Sequence, residues 1–285
     1  MIKKSFGMLQ IVIFLLINWS VKCHFGKKIC DNKDILKTKK KFQELVSFVV
    51  PYYLFKQINY YGKMINCHEK GKINVVFGNH LSTLDFLFMI LVLDYYKIHD
   101  YYFVMREGLN KNPIFRDFLI NDIKVYRDWD KDKEYIVKQL NNITSGTIII
   151  YLEGTRYNNE KKIESFNYCY QNRMPLYNYT LTPKVKGIHA IVSTLRKNKK
   201  LGKVYDITFI ATNFINKTLY TSDIVSFKDL GPLEIFTNEI TFDDSDMEYN
   251  KMKKKIYFIW FKKNLIIDKY AKHHMYKLYQ IENQY

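Results

Sequence analysis

The chain has 285 residues, enough for one sizeable α/β domain with a full core or two small ones; at 47% hydrophobic residues it is not a disordered chain. Its formal net charge of +17 asks for an anionic partner. Zinc-finger spacing, an RNP-like strand and a Gly-rich phosphate loop are all missing, so nucleic acid is set aside, and four cysteines without a CxxC pair give neither a disulfide framework nor a metal site.

The charge is unevenly placed. Residues 1–40 hold nine Lys against two Asp, and the segment from Lys251 to His274 alternates Lys with large apolar residues. Basic residues beside Phe258, Trp260 and Phe261 suit a membrane interface. The competing reading is a solvated basic face inflated by a Lys-rich composition.

In chain order, the first element is "SFGMLQIVIFLLINWSV", seventeen uncharged residues between Lys4 and Lys22. This is the lower limit for spanning a bilayer. A cleaved signal peptide competes, but Lys22, Lys27 and Lys28 disfavour translocation of the downstream chain, so an uncleaved anchor is expected. A basic linker completes residues 1–39. Residues 40–275 are expected to form one domain, with 276–285 as a tail. That domain opens with the aromatic stretch 42–62, broken by Pro51, which reads as an interfacial or bent helix or as an ordinary buried one.

From Ile73 the pattern alternates between strand and helix. "INVVFG" reads as a buried strand, followed by a helix over 82–96. "YYFVM" (101–105) is a strand, with a short helix after Asn112-Pro113. "IKVYR" (123–127) is a strand, then comes a polar helix over 131–142. "GTIIIYLEG" (146–154) is the clearest strand, rich in β-branched residues. "KGIHAIVSTLRK" reads as a helix, "VYDITFIAT" as a strand, the acidic stretch 234–248 as a surface loop, and the basic C-terminal segment as a helix. This order predicts an α/β fold: a mainly parallel central sheet covered by helices on both faces, with membrane-associated helices at the N-terminus.

Two motifs carry chemistry. "GNHLSTLDF" places His80 and Asp85 five residues apart directly after a strand. On one continuous helix such positions lie about 140° apart. They meet only if His80 sits on the strand-to-helix turn and Asp85 on the first turn beyond it, with Ser82 or Thr83 as N-cap. A carboxylate on one ring nitrogen then fixes the tautomer and frees the other nitrogen to accept a proton. With no nucleophile elbow in the sequence, that proton comes from the substrate, most simply an alcohol. The second motif, "YLEGTRY", ends the strongest strand with Glu153, Gly154, Thr155 and Arg156. In a parallel sheet both motifs reach the ligand-binding edge. Arg156 can grip a phosphate with two hydrogen bonds, and Gly154 lets the backbone approach a ligand.

Together "NHLSTLD" and "EGTR" resemble the glycerolipid acyltransferases of the lysophosphatidic acid acyltransferase type. In that family the His deprotonates a glycerol hydroxyl for attack on an acyl-CoA thioester, and the Glu-Gly-Thr-Arg segment helps hold the lysolipid phosphate. The likeness runs from about residue 40 to 275. It includes Arg106, Leu109, Pro113 and Arg127, and then Pro183, Lys184, Gly187 and Asp206–Thr208, where the chain is similar to the lysocardiolipin acyltransferase branch.

The resemblance implies His80 as general base, Asp85 as its orienting acid, and Arg156, Arg106 and Lys184 as phosphate ligands. Asn79 and nearby N–H groups become candidates for the thioester oxyanion. Thr155 is a further donor, and Glu153 is expected to fix the loop rather than perform chemistry. The implied partners are a lysophospholipid, acyl-CoA as co-substrate and membrane lipids, with no metal or other cofactor, in an endoplasmic reticulum or mitochondrial membrane. Three departures stand out: Arg116 where a Gly is usual, Lys184 in place of Arg, and Tyr151-Leu152 in place of Phe-Pro.

Overall fold

The strand β2 (Ile73–Gly78) has all six residues buried and lies at the middle of a seven-stranded sheet. The computed structural model describes residues 32–67, 69–82, 85–108, 122–225 and 228–282. The N-terminal apolar segment, Leu109, Pro113 and Arg116, the helix expected after Pro113, and Thr83 as a cap lie outside the described residues. Besides β2 the sheet contains β1 (Ile58–Gly62), β3 (Tyr101–Arg106), β4 (Ile123–Val125), β5 (Gly146–Tyr151), β6 (Leu201–Ala211) and β7 (Leu233–Ile240). Their order is β1-β7-β6-β2-β5-β3-β4, and every neighbouring pair is parallel except β6–β7.

Among the described residues seven helices cover this sheet: α1 (Asn32–Leu54), α2 (Phe86–Tyr95), α3 (Trp129–Asn141), α4 (Asn159–Gln171), α5 (Val185–Lys197), the short α6 (Thr221–Val225) and α7 (Tyr249–Glu282). Strand alternation divides the core into two layers. Val76 and Ile149 join α1 and α2 on one face, through Phe42, Val46, Val50 and Phe88–Leu93. Val75, Phe77, Ile148 and Ile150 face α3, α5 and α7 on the other. In α5 the buried residues Val185, Ile188, Ile191, Val192 and Leu195 keep helical spacing, and Arg196 and Lys197 complement the dipole of its last turn. Each fully buried Ile or Val contributes about 1.5–3 kcal/mol.

The expectation of a mainly parallel, helix-covered sheet is met; two local readings need correction. Residues 42–62 are not one helix. α1 ends at Leu54, with Pro51 inside it, and "INYYG" pairs with β7 as an edge strand. Gly62 permits that pairing: its φ is +94°, and a Cβ there would lie 2.0 Å from the Thr237 carbonyl oxygen. The buried face of α1 (Phe42, Val46, Val50) packs on the core, while Phe48 is 70% exposed.

Residues 234–248, read as an acidic loop, begin with most of β7. Glu234 is buried and its carboxylate accepts a hydrogen bond from Asn59 Nδ2 at 3.1 Å, so alternating apolar partners outweigh its charge. Among the described residues no helix is long and apolar enough to cross a membrane.

Candidate active site

The site begins where β2 and β5 end. Gly78 and Tyr151 are register partners, so the residues two beyond each, His80 and Glu153, leave the sheet side by side. The Glu153 Oε1 accepts the His80 main-chain N–H at 3.2 Å, and the His80 carbonyl accepts the Tyr157 N–H at 2.9 Å. These bonds join the two motifs and bring Arg156, one residue before Tyr157, to the same edge.

His80 Nδ1 lies 2.8 Å from Asp85 Oδ2. A carboxylate only accepts, so Nδ1 carries the hydrogen and Nε2 of the neutral ring is left with a lone pair. The same Oδ2 accepts the N–H groups of Leu81 at 2.6 Å and Ser82 at 3.1 Å. Asp85 therefore folds the turn around itself. It is the N-cap of α2 but makes no side-chain cap bond, because its carboxylate points back to the turn. The helix consequently starts at Phe86, not at 82, and Ser82 donates its N–H instead of capping the helix. Tyr151, one of the departures, stacks on the imidazole with centroids 4.8 Å apart and donates its hydroxyl to the Asp85 carbonyl at 3.1 Å.

Burial lowers the His80 imidazole. The charge and hydrogen bond of Asp85, with Glu153 behind, outweigh that burial and raise it above its usual value, against a downward pull from Arg127. Burial drives Glu153 up to about 8, opposed by the Leu181 N–H, His80 and Lys263.

Cations gather on one side of this pair. Arg127 donates from Nη2 to the Gly154 carbonyl at 2.8 Å. Burial and the neighbouring Arg106 lower its pKa. Lys184 is likewise lowered, by burial and then by Arg127 and Lys161. Its stem covers Gly154, where a Cβ would lie 3.2 Å from Lys184 Cδ at φ +66°, so the close approach requires a glycine. Arg127 holds a left-handed φ of 65°, a conformation costly for a residue with a side chain. Like charges kept together at such a point suit a bound anion.

The sequence-predicted residues thus separate by position. His80, Asp85, Glu153, Gly154 and Lys184 form one constellation, with Arg106 beside Arg127. Thr155 and the exposed Arg156 follow on the same loop. Asn79 is corrected: its carboxamide donates to Phe209 O at 3.0 Å and accepts from Phe209 N at 2.9 Å, and it is 1% exposed, so it ties β2 to β6 instead of facing a ligand. Arg127 is the residue the motif reading left out of the site. It was visible only as a recurring Arg, and its strand-end position is the signal that would have placed it here.

Beside His80, a small pocket of about 30 Å³ is lined by Leu81, Tyr157, Phe209 and Ile267 together with the polar Asn216 and Lys217. No group of His, Cys, Asp and Glu suited to a metal ion occurs among the described residues.

The family model described as "Acyltransferase" matches residues 58–210. Lysocardiolipin acyltransferase 1 of Mus musculus is 24% identical over 147 residues, covering 48% of this chain and 39% of the relative. Probable 1-acyl-sn-glycerol-3-phosphate acyltransferase 5 of Arabidopsis thaliana is 26% identical over 168 residues, covering 55% and 44%. The matches thus span less than half the length of these relatives. The crystal structure of the 1-acyl-sn-glycerophosphate acyltransferase PlsC from Thermotoga maritima superposes with a TM-score of 0.51 at 14% identity, over 92% of this chain and 96% of that one, a likeness of fold.

Proposed function

From the premise that this chain belongs to the acyltransferase family, we propose that it esterifies the free hydroxyl of a lysophospholipid with an acyl group taken from acyl-CoA, at a membrane. One observation carries the reading: an Asp85-oriented imidazole with a free Nε2 stands beside a cluster of Arg106, Arg127 and Lys184 that suits a phosphate. In this mechanism Nε2 takes the proton of the acceptor hydroxyl as its oxygen attacks the thioester carbonyl. The tetrahedral intermediate collapses by breaking the carbon–sulfur bond. The imidazolium then returns the proton to the departing CoA sulfur, leaving ester and free thiol.

Asp85 supports the imidazolium through Nδ1, and the cation cluster with Arg156 holds the acceptor phosphate so that its hydroxyl reaches Nε2. The motifs are shared by enzymes that take acceptors with different head groups; the N-terminal apolar segment and the basic charge support a membrane host, and the likeness to lysocardiolipin acyltransferases supports an endoplasmic reticulum or mitochondrial one.

The test is His80→Ala in a folded, membrane-reconstituted preparation supplied with labelled acyl-CoA and a panel of lysolipids. Loss of transfer by about 10²–10⁴-fold is expected. Undiminished transfer ends the proposal. Transfer from a phospholipid donor but not from acyl-CoA would make the chain a CoA-independent transacylase using the same base.

A further inference from the structure

An imidazole held at one nitrogen is not yet a fixed base. The bond from Nδ1 to Asp85 Oδ2 at 2.8 Å pins one atom of the His80 ring. The torsion that turns a histidine ring about its Cβ–Cγ bond has broad, roughly two-fold wells. Tilting about that bond swings Nε2 through space, and a half-turn puts a ring carbon in place of Nδ1 and breaks the bond to the acid. A second contact has to define the plane of the ring.

Tyr151 supplies that contact. Its ring lies against the imidazole with centroids 4.8 Å apart and planes 20° from parallel. It covers a face of the imidazole while Asp85 holds the Nδ1 edge, so neither of them covers the Nε2 edge. The phenol is itself tied down, because its hydroxyl donates to the Asp85 carbonyl at 3.1 Å. That carbonyl also accepts the N–H groups of Phe88 at 2.9 Å and Met89 at 3.1 Å, so it belongs to the first turn of α2. Tyr151 in turn ends β5, in register with Gly78 of β2. The contacts thus form a closed circuit: Asp85 carboxylate to imidazole, imidazole to phenol face, phenol hydroxyl back to the Asp85 main chain.

We infer that Tyr151 is a positioning residue: its ring sets the plane of the His80 imidazole and its hydroxyl ties that ring to Asp85, so that Nε2 keeps one direction toward the acceptor hydroxyl. The inference rests on the reading of His80 as base. Either half alone leaves a freedom that the circuit removes. Without the hydroxyl, the ring is no longer referred to the helix turn that carries the acid. Without the ring, nothing on that face opposes the tilt of the imidazole. Misplacing a reacting group by about 1 Å can cost about 10²-fold in rate, so a small tilt is enough to matter. A purely structural role would have the hydroxyl do no more than satisfy a partly buried phenol. The two roles part at the imidazole.

The deciding variant is Tyr151→Phe, which removes the hydroxyl, keeps the ring and orphans nothing, since the Asp85 carbonyl retains the Phe88 and Met89 N–H groups. Tyr151→Leu removes the ring as well. Two quantities are read on the full chain. One is kcat and KM with labelled acyl-CoA and the lysolipid that the wild-type protein takes best; the other is the pair of ring-nitrogen NMR shifts of His80 with the imidazole neutral, which report its tautomer. In folded Tyr151→Phe, kcat falls about tenfold with little change in KM, because the phosphate contacts are untouched. The two nitrogen shifts move toward each other as the ring leaves Asp85 part of the time. Tyr151→Leu goes further in both, with kcat down about 10²-fold.

If folded Tyr151→Phe keeps either the wild-type kcat or the wild-type nitrogen shifts, the hydroxyl only satisfies the phenol and the inference is overturned. A folded Tyr151→Leu that is no worse than Tyr151→Phe overturns it too, since the ring would then set nothing. The nitrogen shifts need no turnover. A wild-type protein inert toward every acyl donor would defeat the proposed function, and the shifts would still decide whether Tyr151 orders the imidazole.

Discussion

Two buried lysines solve the same problem on either side of the central strand β2. Lys39 on α1, 7% exposed, donates to the Tyr101 carbonyl of β3 and lies 4.5 Å from the Tyr101 ring centroid, with Asp122 and Asp100 nearby. Lys263 on α7 donates to the Ile207 carbonyl of β6, sits over Trp260 and has Asp206 and Glu153 nearby. In both, burial lowers the ammonium and carboxylates raise it. The difference lies in the acids. Asp206 is in direct contact with its lysine, whereas Asp122 accepts the Phe103 N–H at 2.8 Å and feels Lys39 at longer range. Asp122 serves the scaffold through the Phe103 N–H, whereas Asp206 is held by its lysine. What a buried cation contributes is set by the acid it touches, not by its own burial.

The largest effect separates the two lysines by stability. Lys263→Met leaves a contacted carboxylate uncompensated in the core and is expected to cost about 3–5 kcal/mol. Lys39→Met leaves the Tyr101 carbonyl without its donor, but Asp122 keeps a backbone bond and can protonate, so about 1–3 kcal/mol is expected. Urea unfolding of both variants at neutral pH measures the difference. Equal costs would erase the distinction.

Much of this arrangement was legible in the sequence, and the rest was not, for physical reasons. The β-branched run of β5 and the buried run of β2 fix parallel neighbours, so motifs two residues beyond each strand had to meet at one edge. His80 with Asp85, and Glu153 with Gly154, follow from that alone. Strand ends and caps were less legible. Asp85 turns its carboxylate backward, so the start of α2 moved from 82 to 86. Glu234 sits in a strand because Asn59 meets its charge across the sheet. Tyr151 reads in the sequence only as a departure from the family's Phe, yet its hydroxyl donates to the Asp85 carbonyl. Lys263 and Asp206 are 57 residues apart, and no local spacing joins a helix to the strand it crosses. Asn79 looked like a ligand residue from its place beside His80, but its partner is Phe209, 130 residues away.

The acid on the scaffold side offers the next test. Burial raises Asp122 from its ordinary 3.8 to about 7, against Lys39 and the Phe103 N–H. A carboxyl whose pKa is higher in the folded chain gives stability that is full below its unfolded value and is lost as pH rises through its folded value. Stability is therefore expected to fall between about pH 4 and pH 7. Asp122→Asn, which keeps an acceptor for Phe103, should remove about 2–3 kcal/mol of that fall. Denaturant melts of both proteins across this window check it. Identical pH slopes would show that Lys39 already neutralises Asp122 as fully as Lys263 does Asp206.

The smallest effect distinguishes charge from hydrogen bonding at Lys263 itself. Thr208 Oγ1 and the Ile207 carbonyl accept hydrogen bonds from the ammonium beside its Asp206 ion pair, and Thr208→Val removes one of those acceptors while nearly preserving shape. Asp206 and the Ile207 carbonyl remain, so the ammonium stays charged and in place. Stability should fall by about 1 kcal/mol. Urea unfolding of the variant at neutral pH measures that fall. A loss of about 3–5 kcal/mol, as large as that expected for Lys263→Met, would mean that the hydroxyl and not Asp206 holds the ammonium in the core. The contrast with Lys39, held by a backbone carbonyl and two rings, would then rest on hydrogen bonds instead of on the acid each lysine touches.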